Sequence, residues 1–81
     1  MLGPFHFEMK VNEMNRKFVI SSNLQSVGYE NNVLEIEFKQ GGIYRYYNVP
    51  EIVYKNLISA PSLGRFFHMN IKFSYPYCKV A

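Results

Sequence analysis

Gly41-Gly42-Ile43-Tyr44-Arg45-Tyr46-Tyr47-Asn48-Val49-Pro50 sets a glycine turn, a tyrosine-rich strand and a helix start within ten residues. Its register against the segment before it decides the fold. Val33-Leu34-Glu35-Ile36-Glu37-Phe38-Lys39 alternates apolar and charged side chains, as a strand does when one face is buried and the other wet. Leu34, Ile36 and Phe38 then point inward, and Glu35 and Glu37 point to water. A two-residue Gly41-Gly42 loop would set Tyr44 and Tyr46 opposite Lys39 and Glu37. A three-residue Gln40-Gly41-Gly42 loop sets them opposite Phe38 and Ile36, with Arg45 across from Glu37. The second register keeps apolar faces together and adds a cross-strand charge pair worth about 0.2–1 kcal/mol. It also supplies a glycine for the left-handed position such loops need.

Upstream, Leu24 to Tyr29 has extended character, and Asn31-Asn32 reads as a two-residue turn because asparagine tolerates positive φ. That turn places Tyr29 across from Leu34 and Val27 across from Ile36, both apolar pairs on one face. Two hairpins argued separately agree on the inward face of the shared strand, so the sequence predicts a three-stranded antiparallel meander. Earlier still, Phe5-His6-Phe7-Glu8-Met9-Lys10-Val11 alternates as a strand does. With Phe18-Val19-Ile20 it is expected to form a further hairpin. Ser21-Ser22-Asn23 interrupts with side chains that hydrogen-bond their own backbone. The chain is accordingly divided into an N-terminal extension, 1–17, and a domain, 18–81.

Downstream, Pro50 suits the first turn of a helix, with Asn48 or Val49 at the cap. Val49, Val53, Leu57 and Ala60 make an apolar stripe. Ala60-Pro61 ends that helix, and Ser62 caps a second one carrying Leu63, Phe66, Phe67 and Ile71. Gly64 weakens the second helix and permits close backbone approach. Phe73 to Val80 is expected to run extended over the core. The fold class is α+β: a small antiparallel sheet, the meander plus N-terminal strands, packed against two short C-terminal helices.

Composition narrows the function. The 81 residues are 48% hydrophobic and 17% aromatic, all of it Phe and Tyr, so one core can form without metal or disulfides. Cys78 is the single cysteine, which points to a reducing, cytoplasmic setting. No apolar run is long enough to span a membrane, and charge appears too early in Met1 to Met14 for a signal peptide. The net charge of +3 is unevenly spread: all six acids lie at or before Glu51, and beyond it the charged side chains are Lys55, Arg65, Lys72 and Lys79. Such a basic third can attract phosphates or serve as solubilising surface.

Seven residues are candidate ligand contacts. Tyr44 and Tyr46 can stack on bases, although the register turns them toward the core with their hydroxyls at its rim. Arg45 and Tyr47 face outward and offer a guanidinium beside an aromatic ring; the competing role for Arg45 is its pair with Glu37. Arg65, His68 and Lys72 follow at helical spacing and can hold a phosphate, or form a plain solvated face. For catalysis the chain is poor. It has no Asp, and no Ser/His/acid set, glycine-rich phosphate loop or metal-ligand cluster emerges. Cys78 lacks a neighbouring base. The expectation is a non-enzymatic module with no cofactor.

Read in order, Ser21-Ser22-Asn23, Val27-Gly28-Tyr29, Leu34-Glu35-Ile36-Glu37-Phe38, Gly42-Ile43-Tyr44-Arg45-Tyr46, Val49-Pro50, Val53-Tyr54, Ala60-Pro61-Ser62, Gly64-Arg65-Phe66-Phe67 and Ile71-Lys72 resemble the KTSC domain family. The resemblance covers about Val19 to Val80. It implies kinship with a small domain found at the carboxy terminus of some lysyl-tRNA synthetases and as stand-alone bacterial or phage proteins. Its signature is the central Tyr-x-Tyr, here Tyr44 and Tyr46, and RNA binding is the role it suggests. The chain departs from the family pattern in its short Asn31-Asn32 turn and in His68, where asparagine is common. Three readings follow: a nucleic-acid binder using the basic C-terminal face, a homo-oligomer that captures a phosphate-bearing molecule such as a nucleotide signal, and a protein-interaction or inhibitor domain.

Overall fold

The computed structural model describes residues 14–81; the strand expected at Phe5 to Val11 lies outside them. Five strands form one antiparallel sheet in sequence order: β1 (Lys17–Phe18), β2 (Leu24–Glu30), β3 (Val33–Phe38), β4 (Ile43–Tyr46) and β5 (Tyr77–Lys79). Helices α1 (Glu51–Ile58) and α2 (Leu63–Asn70) fall between β4 and β5. The α+β class and the central meander are as the alternation requires.

The β2–β3 hairpin has the expected register, with Tyr29 opposite Leu34 and Val27 opposite Ile36. Asn31 and Asn32 take positive φ, 52° and 65°, the paired left-handed geometry whose twist matches that of the strands. The β3–β4 hairpin does have a three-residue loop, but it lies one residue earlier than expected. The Phe38 N–H donates to the Gly42 carbonyl and the Gly41 N–H to the Phe38 carbonyl, so Lys39-Gln40-Gly41 forms the loop. Gly41, at φ 115°, takes the position that only glycine fills at low cost. The Lys39 N–H is already donated to the Asn23 carbonyl, which draws Lys39 toward the turn before β2. The register consequently moves by two: Tyr44 faces Ile36, Tyr46 faces Leu34, and Arg45 faces Glu35 instead of Glu37. An even shift preserves which face each side chain occupies.

One sheet face carries the core. Leu24, Val27, Leu34, Ile36 and Tyr46 meet Val49, Leu57, Phe67 and Ile71 there, all buried; each aliphatic side chain so buried contributes about 1.5–3 kcal/mol. Both helical stripes take part, with Val53, Leu63 and Phe66 packed around the buried set. Pro50 stands one place earlier than expected. It is itself the extended cap residue of α1, at φ −64° and ψ 151°, because Asn48 in the left-handed region has already turned the chain. Tyr29 ties α1 to the sheet: its ring stacks on Tyr54 at 4.9 Å, and its hydroxyl donates to the Val49 carbonyl at 2.6 Å. Ser62 caps α2 as expected, accepting from the Arg65 N–H. Gly64 allows the predicted close approach, since a Cβ there would lie 2.8 Å from Asn23 Nδ2.

Three expectations need correction. Of Phe18-Val19-Ile20, only Val19 packs against the core; Phe18 and Ile20 are exposed and the strand is Lys17–Phe18. The last segment does not merely lie over the core, for β5 joins the sheet against β4. Glu35 is not on a wet face. It is 2% exposed because Arg16 and Arg45 close over it.

Candidate aromatic cleft

The sheet's two faces give its tyrosines and arginines different surroundings. On the outer face, Arg45 Nε donates to Glu35 Oε1 at 2.6 Å, and Arg16 Nη1 forms an ion pair with Glu35 Oε2. Ser26 Oγ accepts from Arg16 Nε and donates to Glu37. Tyr47 lies on the same face as Arg45, its hydroxyl 3.4 Å from Cys78 Sγ. That hydrogen bond, then burial, raises the Tyr47 pKa above the usual tyrosine value. Arg45 and Tyr47 thus stand together on the outer face, in a hollow of about 750 Å³ shared with Arg16 and Glu35, and both already have partners within the fold.

On the core face the helices leave the end of the sheet near β5 uncovered. A cleft of about 520 Å³ opens there, between α2 on one side and the β3–β4 loop with β4 and β5 on the other. Tyr44, Tyr46 and Tyr77 line it, with Phe73, His68 and Lys72 from α2 and the turn after it. Its volume is that of a small-ligand pocket, and among the described residues no carboxylate lines it.

The rings are fixed by one another. Phe38 meets Tyr44 and Phe67 edge to face at 5.6 and 5.4 Å. Tyr46 packs edge-on against Phe67, and Tyr77 stacks on Tyr46 at 5.5 Å. Burial first, then the nearby Tyr77 and Tyr44 hydroxyls, pushes the Tyr46 pKa up to about 12, so its O–H stays protonated at physiological pH. At the rim, Lys72 Nζ lies 5.2 Å from the centre of the Phe73 ring, which His68 meets edge to face. Lys79 is on the same sheet face, opposite Tyr44.

Of the seven candidates, the structure gathers Tyr44, Tyr46, His68 and Lys72 at one cleft. Arg45 and Tyr47 stand on the other face, and exposed Arg65 is not among the cleft's lining. Asn23, in the turn before β2, also lines the cleft, and the polar and aromatic lining residues not singled out from sequence are Gln40, Phe73 and Tyr77. The signal for Tyr77 was its alternation with Lys79 in an extended segment, but only the β4–β5 pairing shows which neighbours it meets. Among the described residues no cluster of His, Cys, Asp and Glu could hold a metal ion, and no helix is long and apolar enough to cross a membrane.

A family model for the KTSC domain matches residues 20–75. The chain belongs to the KTSC domain family. The crystal structure of a KTSC domain protein from Yersinia pestis superimposes with a TM-score of 0.82 at 42% identity, over 85% of this chain and all of that one. An uncharacterised protein from Stutzerimonas stutzeri is 46% identical over 61 residues, which is 73% of this chain and 86% of its own length. A lysine–tRNA ligase from Nostoc is 46% identical over 44 residues. That match is 54% of this chain but 8% of the ligase, so the shared KTSC segment is a small part of that enzyme.

Proposed function

We propose that this KTSC domain is a non-enzymatic binding module for single-stranded RNA, seated on the face that carries the aromatic cleft. The observation that supports it most is the meeting of exposed rings and cations with no carboxylate among the described residues that line the cleft: Tyr77 and Phe73 beside Lys72, with Lys79 and Arg65 in the same acid-free third of the chain. Aromatic rings stack on unpaired bases whatever their sequence, and lysines pair with the phosphates between them. Occurrence of the same segment in lysine–tRNA ligases, which by name act on tRNA, agrees with this reading. Fluorescence anisotropy with labelled oligouridylates tests it. Affinity should fall with salt, and Lys72→Ala should lower the slope of log K against log salt by about 0.7. Binding that ignores salt, or no binding to any single-stranded RNA, would overturn the reading.

A further inference from the structure

We infer that the cleft takes one unpaired nucleotide of the bound strand, its base stacked on Tyr77 with its edge toward the Tyr44 and Tyr46 hydroxyls, and its phosphate at Lys72. This rests on the RNA-binding reading and adds that the domain distinguishes bases. Tyr77 is 58% exposed while its ring is braced by stacking on buried Tyr46. A ring held in place on one side and open on the other is a ready platform for a base. Phe73, 81% exposed, stands at the rim with Lys72 beside it, which places a cation where the strand leaves the cleft.

The floor has the means to read a base edge. Among the described residues, the hydroxyls of Tyr44, Tyr46 and Tyr77 make no hydrogen bond to a protein group, and no side-chain polar atom is buried without a partner. These hydroxyls therefore face the cleft's water and can exchange it for a base. Each can donate and accept, and the Asn23 and Gln40 amides add both kinds of group to the lining. The outer face also has a hollow, of about 750 Å³ and lined by Arg16, Glu35, Arg45 and Tyr47, but there Glu35, Ser26 and the arginines are bonded to one another. A cleft of about 520 Å³ holds a single nucleotide unit rather than a duplex, which confines the reading to unpaired strand.

The test compares tetranucleotides of U, C and A for affinity, in the native chain and in Tyr77→Ala, Tyr44→Phe and Tyr46→Phe. The Phe variants retain the rings and hence the packing; circular dichroism confirms that Tyr77→Ala folds. The native chain should prefer one base, Tyr77→Ala should weaken all three by tenfold or more, and each lost hydroxyl should shrink the preference by up to about tenfold. Salt-dependent RNA binding that none of these variants alters would overturn the base pocket and leave the RNA reading standing. If no tetranucleotide binds, the RNA reading falls, and NMR titration with AMP, CMP and UMP decides the cleft alone. Shifts centred on Tyr44, Tyr77 and Lys72 would then support a nucleotide site, and shifts with inorganic phosphate alone, or none, would overturn it.

Discussion

The two faces of the β3–β4 hairpin are made from alternate residues of the same strands, yet one carries a network of bonded charges and the other an aromatic cleft. On the outer face Glu35 is enclosed by Arg16 and Arg45, with Ser26 and Glu37 bonded alongside. On the core face Tyr44 and Tyr46 pack their rings inward, and among the described residues their hydroxyls have no hydrogen-bond partner. Formal charge in the sequence does not tell which polar groups are already bonded within the fold. Charged groups that neutralise one another have little left for a ligand, whereas rings whose polar tips remain unspent do. Arg45, whose charge suits a phosphate, is bonded to Glu35, whereas Tyr44 and Tyr46, which looked like core, line the cleft.

The sharpest way to break this comparison is Glu35→Ala. Removing the shared carboxylate leaves two arginines facing each other at a nearly dry position, and loss of one partner from a buried ion pair typically costs about 3–5 kcal/mol. Urea unfolding should show that loss while RNA affinity per folded molecule stays unchanged; a cost below about 1 kcal/mol would mean that the network is a solvated surface pair. The core-face counterpart is a pH effect of smaller size. The Tyr46 pKa rises from 10.0 to about 12 on folding, so the folded state holds the proton more tightly. That stability is fully present below pH 10 and is lost as the pH rises toward 12, by roughly 2–3 kcal/mol for two pK units. Alkaline denaturation should therefore soften in Tyr46→Phe, and identical profiles would remove Tyr46 as the cause.

Gly28→Ala should have the smallest effect, on the outer face. A Cβ at Gly28 would stand 2.5 Å from the Asn15 carbonyl oxygen and 3.1 Å from Arg16 Cγ, so the segment that delivers Arg16 to Glu35 must move. Such overpacking costs about 1–3 kcal/mol. Combined with Arg16→Ala it should be less than additive, since both act through one contact. Full additivity would separate the glycine from the ion network.

Much of the fold was legible because strand alternation and turn chemistry are local. Asn31-Asn32 and the flanking apolar pairs fix one hairpin by themselves, and Ser62 marks its helix start by the same kind of evidence. The β3–β4 loop shows where locality ends. Two adjacent glycines allow two placements with the same parity, and the hydrogen bond from Lys39 to Asn23, sixteen residues apart in sequence as numbered, favours one of them. The site was less legible still. Tyr44 and Tyr46 carried a visible signal in their spacing, but Tyr77 joins them only through β5, Phe73 through the turn after α2, and Asn23 through its approach to Gly64.

An antiparallel meander, two short helices with Ser62 capping the second, the inward set of apolar side chains and a basic carboxy-terminal third can be read from the chain alone, because each follows from side-chain period, turn geometry or count. Tertiary structure alone decided that Glu35 is buried, that Arg45 serves it, and that β5 brings Tyr77 beside Tyr46 to floor a cleft. Those outcomes depend on which distant segments meet, and periodicity specifies the face a residue occupies but not the neighbour it finds there.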